Sequence, residues 1–125
     1  MSDESLPSVE GRAWIRRLLA YREPVLARSL FELGVTSLAL VALWVAMWWS
    51  LSISYWLTLA ISIPAGGLMV RLFIIQHDCG HGSFFKQKFL NDSTGWILGV
   101  LTMTPYDFWK RSHSIHHATS GNLDR

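Results

Sequence analysis

From Ser29 to Val70 the sequence carries a single charged side chain, Glu32. A soluble helical domain keeps a polar face along each helix, so a stretch this bare of charge is built for lipid. Two pieces of it are long enough to span. Phe31 to Trp49 supplies 19 residues and Tyr55 to Ile75 supplies 21, where about 20 residues at 1.5 Å each cross a hydrocarbon core of about 30 Å. Between them "SLSIS" is short and uncharged, and Trp48, Trp49, Tyr55 and Trp56 cluster at one level. Amphipathic aromatic rings favour the membrane interface, so the two segments read as a tight transmembrane hairpin.

The basic residues orient it. Arg12, Arg16, Arg17, Arg22 and Arg28 precede the hairpin, and Arg71, Lys86, Lys88, Lys110, Arg111 and Arg125 lie at or beyond its second exit. Cytoplasmic flanks collect Lys and Arg, so both ends of the hairpin are expected in the cytoplasm, with Arg71 snorkelling from the exit. The formal net charge of +2 comes with no basic stripe interleaved with aromatics, which sets nucleic acid aside as a partner. The lone cysteine, Cys79, makes no internal disulfide and suits a reducing compartment. The opening "MSDESLPSVE" is acidic and polar, unlike a cleaved secretory signal, and residues 1–10 are expected to be disordered. After it, "GRAWIRRLLAYRE" sets Trp14, Ile15, Leu18 and Leu19 at helical spacing against four arginines, the pattern of a basic helix lying on the membrane surface, although a soluble amphipathic helix has the same moment.

Within the second span, Pro64, Gly66 and Gly67 are expected to loosen the helix and let another approach. Beyond it, "SFFKQKFLNDSTG" mixes aromatics with charges as an interfacial segment does, and "GWILGVLTMTPY" is apolar but too short to cross. A short re-entrant or surface helix follows, because basic residues flank the run on both sides. The expected fold class is therefore an all-α membrane protein: an N-terminal surface helix, a transmembrane hairpin, and cytosolic or interfacial helices. Residues 11–125 read as the N-terminal part of one domain, incomplete, with polar sequence at Arg125 and no closing element.

All five histidines fall in two short clusters: His77 and His81 in "HDCGHGSFF", then His113, His116 and His117 in "HSIHH". A helix turns 100° per residue, so the first pair lies within about 40° and the second trio within about 100° of arc. A helix from Tyr55 to His81 is about 40 Å long, longer than the hydrocarbon core, so the first pair emerges on the cytoplasmic side. There it can meet the second cluster, placed on that side by its charges. A single histidine near a membrane surface is more often a hydrogen-bonded or solvated side chain than a ligand, but two clusters with none outside them point to metal binding.

Imidazole suits zinc, copper, iron and nickel alike, so ligand type leaves the metal open. Five histidines overfill a catalytic zinc site, which takes three protein ligands, and fall short of two irons. "HDCGH" has the outline of the zinc-protease pattern H-E-x-x-H with Asp78 in place of the glutamate base, so an intramembrane zinc hydrolase stands as one alternative. A membrane protein that binds haem or metal without catalysis is another; it predicts histidines inside the hydrocarbon layer, whereas these lie past it.

"HDCGHGSFF" followed by "TPYDFWKRSHSIHHATSGNLD" closely resembles the first two histidine boxes, H-x-x-x-H and H-x-x-H-H, of the membrane fatty acid desaturase family, especially its bacterial oleate-desaturating members. The likeness is densest from Arg71 to Arg125. It implies a di-iron centre at the cytosolic membrane face, in a bacterial inner membrane, that uses dioxygen to remove two hydrogens from a fatty acyl chain carried on a lipid or a thioester. It also implies electrons from a ferredoxin or b-type cytochrome. By match to the boxes, His77, His81, His113, His116 and His117 become iron ligands. Asp78, Asn91 and Asp107 become candidates to orient them or, equally, helix caps, and Cys79 a small helix residue. Related di-iron hydroxylases and carotenoid ketolases share the chemistry. The family's third box, expected downstream of a second pair of spans, is missing, so this chain reads as an N-terminal fragment that is inactive alone.

Overall fold

The computed structural model describes Gly11, Ala13, Trp14, Arg17, Leu18 and residues 23–120. The disordered segment expected at 1–10 lies outside the described residues. So does most of the expected surface helix, of which the five described residues are helical, with Trp14 and Leu18 exposed. Among the described residues there are four further helices and no strand: α1 (Leu26–Ser50), α2 (Tyr55–Gly80), α3 (Lys88–Leu101) and α4 (Tyr106–Thr119).

Helices α1 and α2 form the hairpin, each reaching a turn past the apolar windows at the end away from the connecting turn. Both are long and apolar enough to cross a membrane, and only 11% and 22% of their most apolar windows is buried. A core helix of a soluble protein hides most of its surface, so these faces call for lipid, and the chain is an all-α membrane protein. At the turn Trp48, Trp49, Tyr55 and Trp56 are all at least two-thirds exposed, forming the belt that the sequence predicts.

Polar side chains fasten the hairpin along its seam. Ser50 and Thr58, both buried, share a hydroxyl hydrogen bond of 2.6 Å next to the turn. Arg71 Nε donates to Thr36 Oγ1 at 3.0 Å, and that hydroxyl donates to the Glu32 carbonyl at 2.6 Å. Removed from water, each hydroxyl needs such a partner. Helix α2 runs through Pro64 unbroken, and a Cβ at Gly66 or Gly67 would meet nothing within 4 Å, so the close helix approach expected at these glycines does not occur among the described residues.

Past α2 the chain turns sharply. Gly82 adopts φ +70°, the left-handed region that glycine enters without penalty. The buried Phe84 and Phe85 then anchor the loop: Ser29 at the start of α1 donates to the Phe84 carbonyl at 2.6 Å, and Lys86 pairs with Glu23 at 2.7 Å. Asn91, buried on α3, accepts from the Phe85 amide at 2.9 Å and donates back to the Phe85 carbonyl at 2.7 Å. Helix α3 starts inside the stretch read as a mixed interfacial segment, and its buried residues are Asn91, Gly95, Leu98 and Gly99.

At its far end α3 returns to α2. The fully buried Gln76 accepts from Thr102 Oγ1 at 2.7 Å and donates to the Thr104 carbonyl at 3.4 Å. Tyr106, the first residue of α4, is buried against Gly95 and Gly99; any Cβ at Gly95 would overlap its ring. The glycine face of α3 therefore sets where α4 begins.

Candidate metal centre

Helix α4 leaves this anchor alongside the last turns of α2, and the two meet through a ladder of rings spaced four residues apart on each side. Phe73 meets Trp109 with centroids 5.6 Å apart, His77 meets His113 at 4.7 Å, His81 meets His113 and His117 at 5.1 Å each, and Trp109 also reaches His77 at 5.6 Å. Residue numbers rise together on both sides, so the helices run parallel here. A four-residue step keeps side chains on one helical face, which is why each box offers two imidazoles to the same gap.

The imidazole nitrogens converge. His77 Nε2 and His81 Nε2 lie 3.2 Å apart, His81 Nε2 and His113 Nε2 3.2 Å, and His113 Nε2 and His117 Nε2 3.0 Å. Ligand atoms of all four residues fall within 4.8 Å of one another. Nitrogens bound at about 2.1 Å to a single ion stand about 3.0 Å apart at right angles and about 3.4 Å apart in a tetrahedron. The observed separations match that range, so the donor set fits a transition-metal ion.

The surroundings favour the neutral form of two of the rings, His81 and His113. Burial, then the neighbouring His77 and His117, pushes the His81 pKa down from the usual 6.5. Burial, then His117, His77, His81 and His116, does the same for His113. His77 Nδ1 faces Asp78 Oδ1 at 3.3 Å; a carboxylate there holds the proton on Nδ1 and leaves Nε2 open towards the other histidines.

His116 lies beside this group rather than in it. Its ring is 6.0 Å from His117 and 6.3 Å from His113, and it is exposed. Of the three residues considered as ring-orienting groups, Asp78 contacts a histidine, Asn91 clamps the loop after the first box, and Asp107 sits in the first turn of α4, where a negative charge suits the helix dipole. Cys79 is wholly buried in the apolar core and stands outside the converging set.

Sequence reasoning missed four supporting residues. Trp109 stacks on His113 with centroids 4.7 Å apart and planes at 16°. Gly80 makes room for it, since a Cβ there would come within 2.8 Å of the indole. Gln76 fixes the loop leading into α4. Asp92 accepts from Lys110 at 2.9 Å and from Lys88, with the Tyr106 hydroxyl at 3.3 Å, tying α3 to α4 one turn before His113. Those lysine hydrogen bonds, Lys88 first, hold the Asp92 carboxyl down at about 2. The usable signal was an aromatic residue four positions ahead of each box, Phe73 and Trp109. An open pocket beside the cluster is lined by Asp92, Trp109, Lys110, His81, His113 and His117.

A sequence model of the fatty acid desaturase family matches residues 54–125. A fatty acid desaturase of Bacillus subtilis is 48% identical over 110 residues, covering 88% of this chain and 31% of that protein. The sn-1 acyl-lipid omega-3 desaturase (ferredoxin) of Synechocystis is 48% identical over 59 residues, 47% of this chain and 16% of that protein. An oleate hydroxylase of Claviceps purpurea is 44% identical over 64 residues, 51% of this chain and 13% of that protein. The chain thus spans about a third of the length of the Bacillus relative and less of the other two. No solved structure matches it.

Proposed function

The chain belongs to the fatty acid desaturase family, and we propose that its two histidine boxes supply five ligands, His77, His81, His113, His116 and His117, to a di-iron centre on the cytosolic face of the membrane. Residues 11–125 contribute one part of a single membrane desaturase domain. The observation that carries this reading is the convergence of both boxes: His81 of the first and His113 of the second, 32 residues apart in sequence, bring Nε2 atoms to 3.2 Å.

Iron held there supplies dioxygen activation. The reaction removes two hydrogens from an acyl chain as dioxygen is reduced to two waters; of the four electrons required, two come from the C–C unit and two from an external donor. A ferredoxin or b-type cytochrome fits the donor role, as the name of the Synechocystis relative records for that protein. The substrate is a fatty acyl lipid or acyl thioester, reached from the bilayer in which the hairpin stands.

The residues of this chain have separable tasks. Asp78 orients His77, and desolvation together with the neighbouring imidazoles lowers the pKa values of His81 and His113, which favours the form that can donate a lone pair. Imidazole is a sound choice here, because it binds iron and lacks the thiolate that activated oxygen oxidises. Phe73 and Trp109 pack edge-on at the end of the ring ladder that faces the membrane span.

The complete protein to which these residues belong is expected to hold about two non-haem irons and to consume dioxygen only with reductant and an acyl lipid. Stoichiometric zinc, with activity unchanged in the absence of dioxygen, would overturn this reading in favour of a hydrolase. The likeness to an oleate hydroxylase gives hydroxylation of the same chain as the second reading, and mass analysis of the product separates an alkene from an alcohol.

A further inference from the structure

The ring ladder begins below the histidines, on an aromatic rung that neither box includes. Trp109 touches four things at once: it stacks on His113 at 4.7 Å and 16°, tilts against His77 at 5.6 Å, meets Phe73 edge-on at 5.6 Å, and packs its benzo edge onto the Gly80 backbone so closely that a Cβ would stand 2.8 Å from Cζ3. It therefore contacts one imidazole from each box and the backbone between the two first-box histidines. Its own position is fixed from below, because α4 starts at Tyr106, seated on Gly95 and Gly99.

We propose that Trp109 is a positioning residue for the metal centre: stacked on His113 and wedged against Gly80, it sets the plane of the His113 ring and the gap between α2 and α4 into which the imidazole nitrogens point. The inference rests on the metal-centre reading above. An imidazole on a helix is free to rotate about two side-chain torsions, and leaving either unset scatters the nitrogen by more than a bond to metal tolerates. A flat indole parallel to the ring removes one of those freedoms without competing for the nitrogen. The 3.0 and 3.2 Å separations from His113 Nε2 to its two neighbours are the result.

The test compares Trp109→Phe, which can still stack, with Trp109→Leu, which fills space and cannot, in the full chain in detergent micelles. Two readouts are taken: the ring-proton shifts of isotope-labelled histidines without metal, and the ligand-field spectrum and affinity of added Co(II). The indole face should move the His113 ring protons upfield of those of His116, with His113 identified by its absence in His113→Ala. Trp109→Leu should abolish that shift and weaken Co(II) binding by roughly 10- to 100-fold with altered bands, while Trp109→Phe stays within about threefold of wild type, as expected for a partner that orients a ligand.

No upfield shift in the wild type would overturn the proposal. Wild-type Co(II) affinity and bands in Trp109→Leu would also overturn it, yet leave the metal-centre reading standing as long as His113→Ala loses binding. If the wild type shows the shift but takes up no Co(II), the metal-centre reading fails and this inference fails with it. Should Trp109→Leu not fold, Trp109→Phe still decides: binding as weak as in His113→Ala overturns the wedge.

Discussion

The hairpin and the layer built on its open end are held together in different ways. Along α1 and α2 most side chains face outward and apolar, and a few hydroxyl contacts, Ser50 with Thr58 and Thr36 with Arg71, mark the seam. Past Gln76 the chain is tied down almost residue by residue: Gln76 to Thr102 and Thr104, Asn91 to Phe85, Ser29 to Phe84, Asp92 to Lys88, Lys110 and Tyr106. A span needs only length, apolarity and a few seam contacts, and neighbouring lipid tolerates small shifts. A metal centre needs nitrogens placed within about half an ångström, so its supports must be specific.

That contrast predicts a gradient of sensitivity. The largest loss should follow His113→Ala or His81→Ala, with metal affinity falling by at least about 100-fold, because each removes a central nitrogen of the converging set; isothermal titration with Co(II) measures it. Next comes Gly95→Ala, whose methyl has no space beside the Tyr106 ring. Overpacking of this kind costs about 1–3 kcal/mol and should displace α4, lowering both the thermal midpoint and Co(II) uptake. Gln76→Leu removes the hydrogen bonds to Thr102 and Thr104 that hold the loop into α4, with an expected cost of about 1–3 kcal/mol by thermal unfolding in micelles. On the hairpin side, Ser50→Ala should cost less, about 0.5–1.5 kcal/mol, and leave metal affinity unchanged. Equal effects of Ser50→Ala and Gln76→Leu on metal binding would erase the distinction between the two regions.

The pH dependence separates them further. Asp92 has its carboxyl held at about 2, below the ordinary 3.8, so its contribution is fully present above about pH 4 and is lost as the pH falls towards 2. Asp92→Asn should flatten the thermal midpoint across that window. The histidine pKa values move the other way in consequence: His81 and His113 are shifted down from 6.5, so metal binding should persist below the pH at which an ordinary imidazole protonates. A binding curve with its midpoint at or above 6.5 would contradict the lowered pKa values of His81 and His113.

The hairpin was legible in the sequence because a membrane imposes a one-dimensional rule: the chargeless run, the aromatic level and the one-sided arginines and lysines each report depth alone. The histidines were legible because helical spacing is also one-dimensional. What lay hidden depended on a partner far along the chain. Trp109 is unremarkable until it meets Gly80, Gln76 until it meets Thr102, and Asp92 until Lys110 arrives from α4. Asn91, read equally as a companion of the histidines or as a helix cap, clamps Phe85, because an amide can satisfy a backbone donor and acceptor at once. Pro64 did not interrupt α2, and Gly66 and Gly67 face open space among the described residues.

The central claim is that the two boxes form one site. Titrating the chain in micelles with Co(II), as wild type, as His81→Ala from the first box and as His113→Ala from the second, tests it directly. One shared centre predicts that either substitution removes the same ligand-field bands. Persistence of a full-strength box-specific signal in either variant would show two independent histidine patches and contradict the account.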